Sequence, residues 1–246
     1  FTSSNLVNSN FRNTDLRNSI FRFAYLRGAD LTGSNIRLAD LRDANLRRAN
    51  LANADLRWSR LQSADLSEAN LRGADLSNSD LSNANLINAD LTGANLTSAV
   101  LSSADLGESL LAYAELSYAS LKHAKLDSVD LTGANLEYAD LIGTDFSCAD
   151  LTEANLIKAN LANADLTGAK ISFAYYNPHD LLSVKSLSGA SYKRSDELLY
   201  ELAVSRFYEL ELMEESDEDS EIISNSSEYM EADKIYWDSW IEAMVS

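Results

Sequence analysis

From Phe1 to Ile171 every fifth residue is large and apolar: 29 Leu, four Phe (Phe1, Phe11, Phe21, Phe146) and two Ile (Ile36, Ile171), at 35 positions without an insertion. Two residues before each later centre, from Ser4 to Ala174, stand 25 Ala, seven Ser, two Thr and one Val, Val129. The residue between is mostly Asp or Asn, as in Ala29-Asp30-Leu31 and Ala44-Asn45-Leu46. A period of five suits neither ordinary element. In an α-helix five residues advance about 140°, so the leucines would spiral round the axis. In a straight strand an odd spacing sends successive leucines to opposite faces. Only a chain that turns a corner once per repeat keeps every centre inside.

Residues two apart on one side point the same way, so each centre and the small residue before it face inward. The second is small because an interior packs tightly. The other three positions face out and are mostly polar. The residue two after each centre bears on the length of a coil. In the column 13, 33, 53, 73, 93, 113, 133, 153, six of eight are Gly or Asn, which tolerate positive φ. In the column five residues on, only two of eight are. This predicts a coil of twenty residues and four sides. Rungs about 4.8 Å apart would stack into a rod on the order of 40 Å long.

This A(D/N)LXX pattern, over about residues 1–176, resembles the pentapeptide-repeat family. The resemblance implies an all-β solenoid, a right-handed quadrilateral β-helix. The near-uniform Leu and Ala are most similar to cyanobacterial and chloroplast members. Members that bind DNA gyrase and mimic DNA have more Phe centres and more degenerate repeats.

After residue 176 the pattern changes. Asn177-Pro178 is a helix-start signal. It predicts a helical cap over 177–213, with a first helix from Pro178 to about Ser188, ended by Gly189, and a second from Ser195. Residues 214–228 read as an acidic flexible linker, since from Glu209 to Glu221 eight of 13 residues are acidic. Residues 229–246 read as an amphipathic helix, with Trp237, Trp240, Ile241 and Met244 on one stripe. Such a helix either docks in a partner's groove or folds back on the solenoid.

The side chains of catalysis are scarce. His123 and His179, the only histidines, have no metal-ligand spacing, and Cys148 is a lone thiol that cannot form a disulfide within the chain. There is no Gly-rich phosphate motif. No cofactor, no metal and no enzymatic activity are expected. The net charge of -18 is unevenly spread. Residues 1–76 carry 11 Arg against eight acids (net +3), residues 77–181 four Lys against 14 acids (net -10), and the remainder has net -11.

With a twenty-residue coil, Arg17, Arg37 and Arg57 stack on one face beside Leu38 and Trp58, and Tyr118 and Tyr138 follow further along. One reading neutralises the arginines with nearby Asp and treats the aromatics as scattered surface residues. The other takes Trp beside Arg as an interface. The function expected is a non-catalytic scaffold or adaptor for an unidentified protein partner, a homodimer being one form of it. The alternative is a DNA-mimicking inhibitor of a nucleic-acid-binding enzyme such as a topoisomerase. Neither direct nucleic-acid binding nor a membrane span is expected. Phe1 is already in phase with the repeat, which predicts an upstream segment. The compartment favoured is cytoplasmic, with plastid or thylakoid lumen as the alternatives if that segment is a targeting peptide.

Overall fold

The computed structural model describes residues 1–191. Each repeat closes a tight turn. The amide three residues after a centre donates to the centre's carbonyl, as from Ser34 to Leu31 at 3.0 Å and from Ala89 to Leu86 at 2.9 Å. The residue two after the centre has positive φ in all 35 repeats, between 52° and 67°. Positive φ at the third turn residue alone is the type II pattern. Every repeat makes the same turn, so positive φ is not confined to the column rich in Gly and Asn. Leu38, Trp58, Tyr118 and Lys158 adopt it as the glycines do. What the glycine-rich column provides is space between rungs. A Cβ at Gly33 would lie 2.6 Å from Asn13 Oδ1, and one at Gly133 would lie 2.7 Å from the Tyr113 ring.

One residue per side pairs in parallel with the coils before and after it. The pairs run from Asn5 with Tyr25 to Asn155 with Tyr175, each 20 residues apart, so four turns separate successive rungs.

The five amides of a repeat are all accounted for, as residues 29–33 illustrate. Ala29 N donates to the Leu26 carbonyl, closing the previous turn. Asp30 N reaches back to Ser9, while Leu31 N and Gly33 N reach forward to Asn50 and Ala52. Only Thr32 N lacks a backbone acceptor, and the Asp30 carboxylate accepts from it at 3.1 Å. A buried or half-buried amide must find a partner. Asp or Asn before the centre therefore caps the turn, a local bond that both residues make readily. The same bond recurs from Val7 to Asn5, from Ile87 to Asn85 and from Thr167 to Asp165.

Every centre from Leu16 to Ile171 is buried, with the Ala/Ser column filling the space between. Phe1 is half exposed and stacks on Phe21, with ring centroids 4.8 Å apart.

The C-terminal expectation is corrected. The helix is a short 3-10 helix, Pro178–Ser183, and does not extend to Ser188. The solenoid then resumes one residue out of phase: Asp165 pairs with Ser186 and Lys170 with Ser191, each 21 residues apart. Leu187 takes a centre's place, and Gly189 has the turn's positive φ of 66°. The short helix absorbs the extra residue, and Leu181 from it is buried in the core. The second helix, the acidic linker and the helix over 229–246 lie outside the described residues.

Candidate functional site

The third turn residue points outward, and its side chain leans over the next rung, as Tyr113 does over Gly133. Turn residues twenty apart therefore form a column along a corner of the rod. The column 18, 38, 58, 78, 98, 118, 138, 158 contains the sequence-predicted aromatics. Leu38 is 55% exposed, Trp58 54%, Tyr118 60% and Tyr138 39%. The Tyr118 and Tyr138 rings stack at 4.9 Å with an interplanar angle of 6°. Lys158 Nζ sits 4.7 Å from the Tyr138 ring centroid and donates to its hydroxyl, which pushes the Lys158 pKa up. Asn78 and Ser98 separate the two apolar pairs.

The arginines of the neighbouring column, one after the centre, divide by what precedes them. Arg57 closes on Asp55 two residues before it, with Nε and Nη2 at 2.8 and 2.6 Å, and Asp75 lies 3.5 Å away. These bonds depress the Asp55 pKa and raise that of Arg57. Arg17 closes on Asp15 in the same way. Arg37 follows Asn35, a neutral residue, and makes no ion pair among the described residues. Its Nε is buried without a hydrogen-bond partner. Of the three arginines assigned to this face, Arg37 alone makes no ion pair among the described residues, although its charge helps to lower the Asp55 pKa. Leu38 with Trp58, and Tyr118 with Tyr138, are brought onto adjacent rungs, while the two pairs stay apart. Trp237, Trp240, Ile241 and Met244 lie outside the described residues.

The turn, the rung and the inward Leu and Ala columns are the features of one repeat family. The family model for pentapeptide repeats matches residues 1–37, 39–78, 74–111, 114–147 and 144–175, in eight copies. The chain belongs to the pentapeptide-repeat family. Its fold is accordingly a right-handed β-helix solenoid. Among solved structures it is similar to HetL of the cyanobacterium Nostoc sp. strain PCC 7120, a pentapeptide-repeat protein involved in heterocyst differentiation regulation. Identity is 32%, over 76% of this chain and 84% of that one, with a TM-score of 0.34. A pentapeptide-repeat protein of the Arabidopsis thaliana thylakoid lumen is 31% identical over 50% of this chain and 68% of its own, with a TM-score of 0.20. QnrB1, a plasmid-mediated fluoroquinolone resistance protein, is 20% identical over 84% of this chain and 98% of its own, with a TM-score of 0.48. No curated protein matches the sequence.

In this pentapeptide-repeat protein some exposed residues escaped the sequence reading. Ile20, Tyr25, Val100 and Leu110 occupy the position before a centre, where Asp or Asn caps the turn elsewhere. All four are exposed, as are Phe23 and Tyr113 at turn positions. Arg22 lies 5.2 Å above the Phe23 ring and, like Arg37, has a buried Nε without a partner. The signal that could have found them is the break in the Asp/Asn column, since a residue that gives up a cap needs another reason to be there. His123 and Cys148 are exposed turn residues. Among the described residues no group of three His, Cys, Asp or Glu could hold a metal ion, and no helix is long and apolar enough to cross a membrane.

Proposed function

We propose that this chain is a non-catalytic scaffold whose corner column of Leu38, Trp58, Tyr118 and Tyr138, with Arg37 beside it, docks a protein partner. The observation that carries the reading is the exposure of four large apolar side chains on turn residues whose amides each donate to a carbonyl of the next rung. Docking on so rigid a surface costs little ordering entropy. Trp and Tyr supply large contact area, and a guanidinium outside any ion pair supplies donors shaped for a carboxylate. The paired arginines Arg17 and Arg57 contribute less, because their charges are already matched within the chain.

The test places a photo-reactive amino acid at position 58 or, as a control, at position 83 on another corner of the full chain in its own cells. Cross-linked products are identified by mass spectrometry. Protein adducts from position 58 and none from position 83 are expected. Equal labelling from both, or none from 58, would remove this surface from consideration. Loss of the adducts when duplex DNA is added would favour DNA mimicry instead.

A further inference from the structure

We propose that the partner of this corner column is a second copy of the same chain, packed against it in the antiparallel sense; the inference rests on the interaction reading above. A closed pair requires a self-complementary surface, with each residue's counterpart set by one two-fold axis. For two rods packed side by side in opposite directions, that axis passes between them at right angles to both. It reverses the order of rungs and keeps each column opposite itself.

The column carries this symmetry in its residues. About a midpoint between Asn78 and Ser98, Trp58 on one side is matched by Tyr118 on the other, and Leu38 by Tyr138. All four are among the exposed large apolar residues, and the middle of the column is small and polar. In the pair, Trp58 meets Tyr118 of the partner subunit and Leu38 meets Tyr138 of the partner subunit, each contact occurring twice. Asn78 meets Ser98 of the partner subunit, where amide and hydroxyl can bond.

The adjacent outward column supplies an independent match in charge. Under the same axis Arg37 lies opposite Glu137 of the partner subunit. Neither Arg37 nor Glu137 makes an ion pair among the described residues, though Arg37 acts at longer range on Asp55 and Glu137 on Lys158, and Arg37 Nε is buried without a hydrogen-bond partner. Arg57, whose charge is already satisfied by Asp55 and Asp75, falls opposite the neutral Ser117. Two like-charge matches flank the corner: Asp55 with Glu115, softened by Arg57 on the first and by a bond from Asn135 to the second, and Asp40 with Asp140, paired within each chain to Arg42 and Lys122. A parallel pair would instead set Leu38 on Leu38 and Trp58 on Trp58, and would leave Arg37 and Glu137 at different heights along the rods. The antiparallel sense also lays the net +3 of residues 1–76 against the net -10 of residues 77–181. Complementary charge of this kind fixes register more than it adds affinity. A contact one corner wide is smaller than a standard interface, so a dissociation constant in the micromolar range is expected.

The experiment is sedimentation equilibrium of the full chain from about 1 to about 100 μM. The unmodified chain should dimerise in that range. Arg37→Glu and Glu137→Arg should each weaken the dimer by about tenfold, and the two together should restore it. Trp58→Ala should weaken it with the circular dichroism unchanged, and a photo-reactive group at position 58 should label the region of residue 118 in the second copy. A chain that stays monomeric, a dimer indifferent to both charge reversals, or labelling of residue 58 by residue 58 overturns the proposal. If the chain is monomeric yet position 58 still cross-links a foreign protein, the scaffold reading survives and the self-association falls. If neither occurs, both fall.

Discussion

Asp and Asn before the centre act through a single bond, to the one amide of the repeat that no carbonyl reaches. The Asn85 side chain accepts from Ile87 N at 3.1 Å and makes no other bond among the described residues. Asn85→Ala should lower stability by about 1 kcal/mol, and Asn85→Asp should be close to neutral, as read by urea denaturation. Equal losses in both would mean that the cap is not the reason for the residue. Val129 is the contrasting case, the one β-branched aliphatic residue in the small inward column. Its turn bond to Leu126 is stretched to 3.4 Å, against 2.8–3.2 Å in the other repeats. The extra methyl groups overfill the coil, so Val129→Ala should raise stability by about 1 kcal/mol. A clear fall in melting temperature would mean that the neighbouring rungs have adapted to Val.

At the scale of the rung, the last coil depends on an ion pair across the phase shift. Lys185 Nζ bonds to Asp165 at 2.8 Å, and this bond, followed by that from the Thr167 hydroxyl, pushes the Asp165 pKa from 3.8 to about 2. The folded-state pKa is lowered, so the stabilisation is full above 3.8 and is lost as the pH falls towards 2. Asp165→Asn should therefore flatten the acid limb of the stability curve. The measurement is the urea midpoint at about pH 5 and about pH 2.5, where the unmodified chain should lose more than the variant. In the central rungs the buried side chains are apolar apart from a few hydroxyls, and none is charged. Leu106→Asp would place a charge there without a partner and should cost more than about 4 kcal/mol, abolishing a single cooperative melting transition. A melting curve like that of the unmodified chain would contradict the inward assignment of the centres.

Over the whole molecule, charge runs along the rod: seven of the 11 arginines near one end are tied to carboxylates, and Arg22, Arg27, Arg37 and Arg60 make no ion pair among the described residues. A DNA mimic needs an acidic surface along its working length, and this end does not supply one. Duplex DNA in excess should therefore leave the cross-links from position 58 unchanged at low salt, where phosphate mimicry would be strongest. Inhibition of a DNA topoisomerase at submicromolar protein would contradict the scaffold reading.

The family and the inward Leu and Ala columns were legible in the sequence because an unbroken period of five leaves the chain no other way to bury its centres. The same period indicated which residues face out, so Trp58 and Tyr118 could be named before their exposure was known. Positive φ itself was not legible in the residue types, since Leu, Trp, Tyr and Lys adopt it as Gly and Asn do. Contacts between rungs, invisible along the chain, decide where glycine is needed. Which arginines are spent was likewise a matter of three-dimensional contact. Arg57 and Arg37 occupy equivalent positions, and only Asp55 against Asn35, together with the reach to the next coil, separates a paired charge from an unpaired one. The resumption of the solenoid at Leu187 was hidden for a similar reason. Asn-Pro does open a helix, but one extra residue looped out of a rung costs little when the bonds on both sides of it re-form.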